Sequence, residues 1–254
     1  VKVTFLGTGT SQGVPLIGCT CPVCTSADKR DNRLRCSIWI ETPEASVVID
    51  SGPDFRYQML RAGVKKLDAI VYTHGHKDHV AGMDDVRAYN FFTNEPVNLY
   101  ATDETQETLK REFAYVFSDV HYPGIPRVNL NTINNTDTFE INGLVFTPIL
   151  VKHMYMDVLG FRIGDFTYIT DANYIAPDEL NKIKGSKALV LNALRHEKHP
   201  SHYTLEEAIK VAKETGVPDT YFTHISHQLG THTEIENQLP EGIHLSYDGL
   251  TLNF

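Results

Sequence analysis

The chain has no apolar run approaching the roughly 20 residues of a membrane-spanning helix, which excludes a helical span. Val1 to Gly7 alternates apolar and polar residues where an export signal would place a charged segment and an apolar core, so a soluble, cytoplasmic protein is expected. Positive charge is also scarce. With 23 Lys+Arg against 32 Asp+Glu, the formal charge of −9 argues against stable binding of long nucleic acids by counterion release, while leaving room for a small anionic substrate in a local pocket. There are only four cysteines, and three of them, Cys19, Cys21 and Cys24, fall within six residues. That spacing suits a thiolate metal site in a reducing compartment better than a disulfide framework. Long Pro/Gly/Ser-rich stretches, blocks of like charge and internal repeats are lacking too, so residues 1–254 read as a single domain.

Strand-like runs rich in Val, Ile, Phe, Tyr and Trp occur at Lys2 to Leu6, Ser37 to Glu41, Ser46 to Asp50 and Ala69 to Tyr72. A second set occupies Val97 to Ala101, Leu144 to Val151, Val158 to Ile163, Phe166 to Thr170, Ala188 to Asn192 and Asp219 to Thr223. Helical periodicity appears in Asp54 to Ala62, Met83 to Phe91, Glu104 to Phe117 and Leu205 to Thr215. The last is opened by a capping box, Thr204 with Glu207, and ended by Gly216. The class is α/β or α+β. Two strand-rich halves interleaved with helices point to two sheets face to face with helices outside, because each sheet must cover its apolar faces. Tyr89, Phe91, Phe92, Tyr155 and Met156 are expected to pack in the core.

The densest chemistry lies in Tyr72-Thr73-His74-Gly75-His76-Lys77-Asp78-His79, between a strand run and a helical one. Imidazole and carboxylate donors suit zinc, manganese or iron. His74 and His76, two residues apart in extended chain, project to the same side and can reach one ion, while a turn beyond them can aim Asp78 and His79 at a second. Gly75 keeps the crowded backbone free of a Cβ.

This segment resembles the His-x-His-x-Asp-His signature of the metallo-β-lactamase superfamily, and the resemblance runs over almost the whole chain. It implies an αβ/βα sandwich of two mixed sheets and further ligands at later strand ends, matched in order by His153, Asp171 and His224. On that resemblance His74, His76 and His153 would hold one divalent ion and Asp78, His79 and His224 the other, with Asp171 bridging the pair. The two catalytic metals, Mn or Zn, would supply a hydroxide nucleophile near neutral pH and neutralise phosphodiester oxygens as charge builds. Asp78 then counts as both ligand and catalytic residue.

Cys19, Cys21 and Cys24 are one ligand short of a closed structural zinc site, and His227, three residues after His224, can supply the fourth. Together with Leu6-Gly7-Thr8-Gly9-Thr10-Ser11 and Thr223-His224-Ile225-Ser226-His227-Gln228, this cluster resembles the PhnP-type phosphoribosyl 1,2-cyclic phosphate phosphodiesterases. That group implies a phosphodiesterase of small cyclic phosphates, a homodimer, and a late histidine acting as general acid, which maps onto His202 with His196 and His199 as nearby rivals. Alternative expectations are a nuclease of the transfer-RNA 3′-processing type, a lactonase, and a metal-binding module without turnover.

Overall fold

The computed structural model describes residues 1–118 and 122–254. Its first half supplies β1 (Lys2–Gly7), β2 (Ser37–Glu41), β3 (Ser46–Ile49), β4 (Ala69–Val71), β5 (Val97–Ala101) and β6 (Val128–Thr132). The second half supplies β7 (Phe139–Ile141), β8 (Leu144–His153), β9 (Met156–Ile163), β10 (Phe166–Tyr168), β11 (Tyr174–Ile175), β12 (Ala188–Asn192), β13 (Asp219–Thr223), β14 (Ile243–Leu245) and β15 (Thr251–Asn253). One sheet runs β15-β1-β2-β3-β4-β5-β6, and the other runs β11-β8-β9-β10-β12-β13-β14 with β7 added beside β8.

Three apolar clusters define the layering. Val3, Phe5, Ile38, Ile40 and Val71 of the first sheet meet Phe146, Phe161, Tyr168 and Val190 of the second, forming the core between the sheets. The opposite face of the first sheet, with Trp39, Val48 and Ile70, is covered by Phe55, Met59 and Leu109 from helices Phe55–Ala62 and Asp103–Glu112. The outer face of the second, with Leu189 and Leu191, is covered by Ile183, Leu205 and Ala208 from helices Pro177–Ile183 and Leu205–Thr215. These strands are buried on both faces, which is why they read as continuous apolar runs instead of alternating ones. The order helix, sheet, sheet, helix is the metallo-β-lactamase fold.

The capping box at Thr204 and Glu207 forms, and Gly216 closes that helix in the left-handed region at φ 67. Other boundaries differ from the sequence reading. The expected helix from Met83 begins as a 3-10 turn, Met83–Val86, before Arg87–Thr93, because its first turn is tied to Gly82. The one expected to reach Phe117 stops at Glu112, where Phe113 turns inward to bury its ring. Phe91, Phe92 and Tyr155 are 86%, 86% and 89% exposed, so the expectation of core packing fails for them. The two phenylalanines lie on the outer side of a helix that already covers the sheet, and Tyr155 sits at the tip of the β8–β9 hairpin.

Parallel pairing aims both sheets at one place. β3, β4, β5 and β6 run parallel to one another, as do β10, β12, β13 and β14. Their carboxyl ends open at a common edge, where the backbone N–H of Leu159 in β9 donates to the Thr73 carbonyl at 3.0 Å and joins the sheets directly. Crevices at such strand ends are where open α/β sheets place their ligands.

Candidate metal centre

Each residue of the primary signature leaves the end of a strand. β4 ends at Val71, a non-helical segment leads to His76, whose backbone is extended, and a short helix, Lys77–Val80, turns Asp78 and His79 inward. His153 is the last residue of β8, and Asp171 and His224 follow β10 and β13 closely. Ala172 exchanges two hydrogen bonds with the buried Asn192 side chain, at 2.8 and 2.9 Å, which fixes the turn that presents Asp171. Ile225 pairs with Gly9, and its N–H donates to the Thr8 carbonyl at 2.9 Å, so the amino-terminal loop holds the turn carrying His224.

Asp171 is the hub. One of its oxygens lies 2.7 Å from His79 Nε2 and 3.2 Å from His74 Nε2, while the other lies 2.7 Å from His224 Nδ1 and 3.7 Å from His202 Nδ1. Asp78 reaches His79 Nε2 at 3.2 Å. The donor atoms of Asp78, His79, Asp171 and His224 all fall within 4.8 Å of one another. The rings of His74, His76 and His153 stand at centroid separations of 4.7, 5.2 and 5.9 Å. His202 enters from the far wall, its ring 4.6 Å from those of both His153 and His224. The two rivals do not come in as far. His196 is exposed and bonds through Nε2 to the Leu229 carbonyl, and His199 stands behind His202 at a ring separation of 5.1 Å.

The arrangement fits divalent cations. His74 Nε2 and His79 Nε2 are buried and make no hydrogen bond, although a carboxylate oxygen lies close to each. Buried polar atoms left in this way cost free energy unless another group satisfies them, and an imidazole nitrogen beside carboxylate lone pairs is a cation's donor set. The second nitrogens are already used. His79 Nδ1 meets Asp50 at 2.7 Å, His153 Nδ1 meets the Ser201 carbonyl at 2.8 Å, and His74 Nδ1 meets Thr73 Oγ1 at 3.0 Å. Such partners set the ring orientation and, when they accept, place the proton on the nitrogen away from the centre.

Electrostatics divides the histidines into two sets. Burial lowers His153, drives His74 down to about 4, and, with the His224 charge adding to it, takes His202 down to about 2. Burial opposes charge at His79 and His224 as well, but carboxylates outweigh it there. Asp78 and Asp171 raise His79 well above the usual imidazole value, and Asp171 raises His224 to about 10. The Asp78 and Asp171 carboxyls, which burial alone would push up, are held low by those imidazolium charges. The carboxylates thus favour positive charge on that side of the centre, where a cation would compete with protons for the same nitrogens.

Sequence reasoning missed Asp50, which is wholly buried and joins the two halves of the signature. It accepts from His79 Nδ1, from the Thr73 N–H at 2.9 Å and from Thr73 Oγ1 at 2.8 Å. The signal was an aspartate ending an apolar strand before Ser51-Gly52; a Cβ on Gly52 would stand 2.0 Å from the Asp78 carbonyl oxygen. Asp50, Asp171 and His224 all adopt left-handed backbone, at φ 64, 53 and 56. Non-glycine residues rarely adopt this region, and they cluster at functional sites when they do.

The second cluster also assembles. Cys19 Sγ and Cys21 Sγ each lie 3.4 Å from His227 Nδ1, and the donor atoms of Cys19, Cys21, Cys24 and His227 lie within 4.8 Å of one another. The N–H groups of Cys24 and Leu16 donate to Cys21 Sγ and Cys24 Sγ at 3.4 and 3.3 Å. The His227 contact and then the Cys24 N–H pull Cys21 down to about 6, whereas burial pushes Cys24 up to about 11. Three sulfurs and one imidazole in this arrangement suit a tetrahedral zinc ion.

Residues 45–225 match the model of the β-lactamase superfamily domain, and the chain belongs to that superfamily. Within it, the chain is similar along its whole length to a crystal structure described as a new diphosphatase from the PhnP family, at 43% identity and a TM-score of 0.93, covering 100% of this chain and 97% of the other. A Porphyromonas gingivalis protein named octanoyltransferase is 38% identical over 98% of this chain, which spans only 51% of that relative. Zinc-bound PqqB from Methylobacterium extorquens shares the fold at a TM-score of 0.80 and 22% identity, with full coverage of both chains.

Proposed function

We propose that residues 1–254 act as one dinuclear metal-dependent phosphodiesterase domain on small phosphodiesters, such as phosphoribosyl or nucleoside cyclic phosphates. The observation that carries this reading is the convergence of four imidazoles on the buried Asp171 carboxylate, three of them with an inward nitrogen that lacks a hydrogen bond among the described residues. The PhnP-family diphosphatase, with which this chain shares 43% identity, supports phosphoryl chemistry. The acyl-transfer name belongs to a protein about half of which this chain spans.

His74, His76 and His153 would hold one divalent ion, Zn or Mn, and Asp78, His79 and His224 the other, with Asp171 between them. Bound divalent ions act as Lewis acids and lower the pKa of water. The chain's own residues do the rest. Asp50 and the Ser201 carbonyl fix the rings of His79 and His153, and His202 faces the reacting ester. Burial is the main cause that lowers His202, and an anionic ester packed against it favours the imidazolium that can donate a proton. The surroundings proposed are cytoplasmic, with a second copy of the chain as partner. Metal-replete protein should turn over bis(p-nitrophenyl) phosphate and a ribose cyclic phosphate, and lactones far more slowly. Preference for lactones in side-by-side rates would overturn the reading.

Cys19, Cys21, Cys24 and His227 would hold a structural zinc that clamps the amino-terminal loop to the turn bearing His224. Cys21→Ser should then remove about one zinc equivalent and lower the melting temperature by roughly 5 to 10 °C, a cost of a few kcal/mol in a chain of this size. The rate per folded molecule should change much less. Elemental analysis, calorimetry and thiol titration check this; three freely titrating thiols in the native metal-replete protein would refute the clamp.

A further inference from the structure

Two charges are buried outside the metal centre, Arg33 at 3% exposure and the Asp248 side chain at 5%. Among the described residues Arg33 forms no salt bridge. The two are linked instead by the wholly buried hydroxyl of Thr8: Arg33 Nη1 donates to Thr8 Oγ1 at 2.9 Å, and Thr8 Oγ1 donates to Asp248 Oδ1 at 2.9 Å. A hydroxyl gives one proton and receives on its lone pairs, so it serves both ends at once. The remaining partners fix those ends. Arg33 also donates to the Ser246 carbonyl at 2.6 Å and to His232 Nδ1 at 3.2 Å, while Asp248 accepts from the Leu34 N–H at 2.9 Å and from Arg61 at 3.1 Å. Burial lowers Arg33 to about 10, which leaves it charged near neutral pH, and burial raises Asp248. Buried charges are costly unless compensated by hydrogen bonds, and here one hydroxyl belongs to the compensation of both.

The backbone of the same residue meets the metal centre. The Thr8 carbonyl accepts from the Ile225 N–H at 2.9 Å, the Thr10 N–H donates to the Ile225 carbonyl at 3.1 Å, and Ile225 directly follows His224, whose backbone is left-handed at φ 56. The loop has little room to shift. A Cβ on the intervening Gly9 would stand 2.8 Å from the Arg33 carbonyl oxygen, so this stretch is pressed against the segment that carries the guanidinium. A residue held in left-handed backbone persists there only when its surroundings over-determine it. Thr8 is thus held on its side-chain hydroxyl by two buried charges and holds the His224 turn by its carbonyl.

We propose that Thr8 is a positioning residue for the metal centre: its hydroxyl, clamped between Arg33 and Asp248, fixes the loop that keeps His224 in its left-handed turn, and so sets the affinity of the ion that Asp78, His79 and His224 would hold. The consequence for the ion rests on the proposed dinuclear reading. Groups that orient metal ligands govern metal affinity by about 10- to 100-fold, and Thr8 acts through the backbone, one residue further out, so the lower end of that range is expected.

The test compares Thr8→Val, which replaces the hydroxyl by a methyl group of similar size, with Thr8→Ser, which keeps the hydroxyl. Hydrogen exchange of the full chain, read by mass spectrometry, reports the turn itself. The peptide from His224 to Gln228 should exchange about 10-fold faster or more in Thr8→Val and close to the unsubstituted rate in Thr8→Ser, while helix Leu205–Thr215 keeps its rate in both. Titration of the chelator-treated chain with Mn²⁺, an ion that suits imidazole and carboxylate better than thiolate, reports the centre. One of two binding steps should weaken by about 10-fold in Thr8→Val, the other much less, and Thr8→Ser should restore it. Unaltered exchange of that peptide in folded Thr8→Val, or equal acceleration in Thr8→Ser, would overturn the role of the hydroxyl. Faster exchange with both Mn²⁺ steps unchanged would overturn its consequence for the ion. Should Thr8→Val fail to fold, Asp248→Asn, which keeps the shape and removes the charge at one end of the bridge, is read by the same criteria. An unsubstituted chain that binds no pair of Mn²⁺ ions would instead overturn the dinuclear reading, and the exchange rates would still decide whether Thr8 holds the turn.

Discussion

Asp171→Asn is expected to abolish most turnover, by on the order of 10³-fold or more, while the protein keeps its fold. The substitution preserves the shape of the side chain and its place between strands, and removes the charge on which His74, His79, His202 and His224 converge. An amide has one acceptor oxygen and a positively polarised nitrogen, so it cannot serve two cations. Bound catalytic metal should fall from two equivalents towards one or none. His79→Ala and Asp78→Ala should each lose one equivalent with a comparable loss of rate, because both belong to the same donor set. Metal content by elemental analysis, circular dichroism and steady-state rates together check this. Full activity at one metal equivalent would rule out a two-metal mechanism.

The second large effect separates attack from departure. With His202 protonating the departing oxygen, His202→Ala should reduce the rate on a ribose cyclic phosphate by about 10² to 10⁴-fold. A p-nitrophenolate leaves without a proton, so the same variant should retain far more activity on bis(p-nitrophenyl) phosphate, at unchanged metal content. Because burial lowers this imidazole, its acid form gains from the bound ester's negative charge. The pH profile of kcat should therefore lose its basic limb in His202→Ala, the limb that reports deprotonation of the acid in the complex. Equal losses on both esters, or a drop in bound metal, would assign His202 to positioning or ligation.

Much of this was legible in the sequence because the central strands are short runs dominated by apolar or aromatic residues, most of them buried. Ser37–Glu41, Val97–Ala101, Ala188–Asn192 and Asp219–Thr223 match their apolar runs residue for residue. Edge elements were not visible. β6, Val-Asn-Leu-Asn-Thr, is only half buried and carries polar side chains, and β11, β14 and β15 are two or three residues long, too short for a period to register. Helix Pro177–Ile183 was missed because seven residues carry only two buried positions, Leu180 and Ile183. At the centre, the ligand-type residues could be named because the signature is contiguous and the later ones end strands. Asp50 could not, since it works through a distant partner, His79, 29 positions away. No local pattern encodes such a pairing.

The left-handed backbone at Asp50, Asp171 and His224 sets stability against activity. A chain selected for thermal endurance alone would place glycine at those turns, since an L-residue there costs about 1 kcal/mol and glycine has no such penalty. Carboxylate and imidazole are kept where the polypeptide least favours a side chain. Substitutions that relax these three turns would therefore be expected to trade turnover for robustness, and any programme of stabilising this chain has its room in the helices and edges, away from the carboxyl ends of the parallel strands.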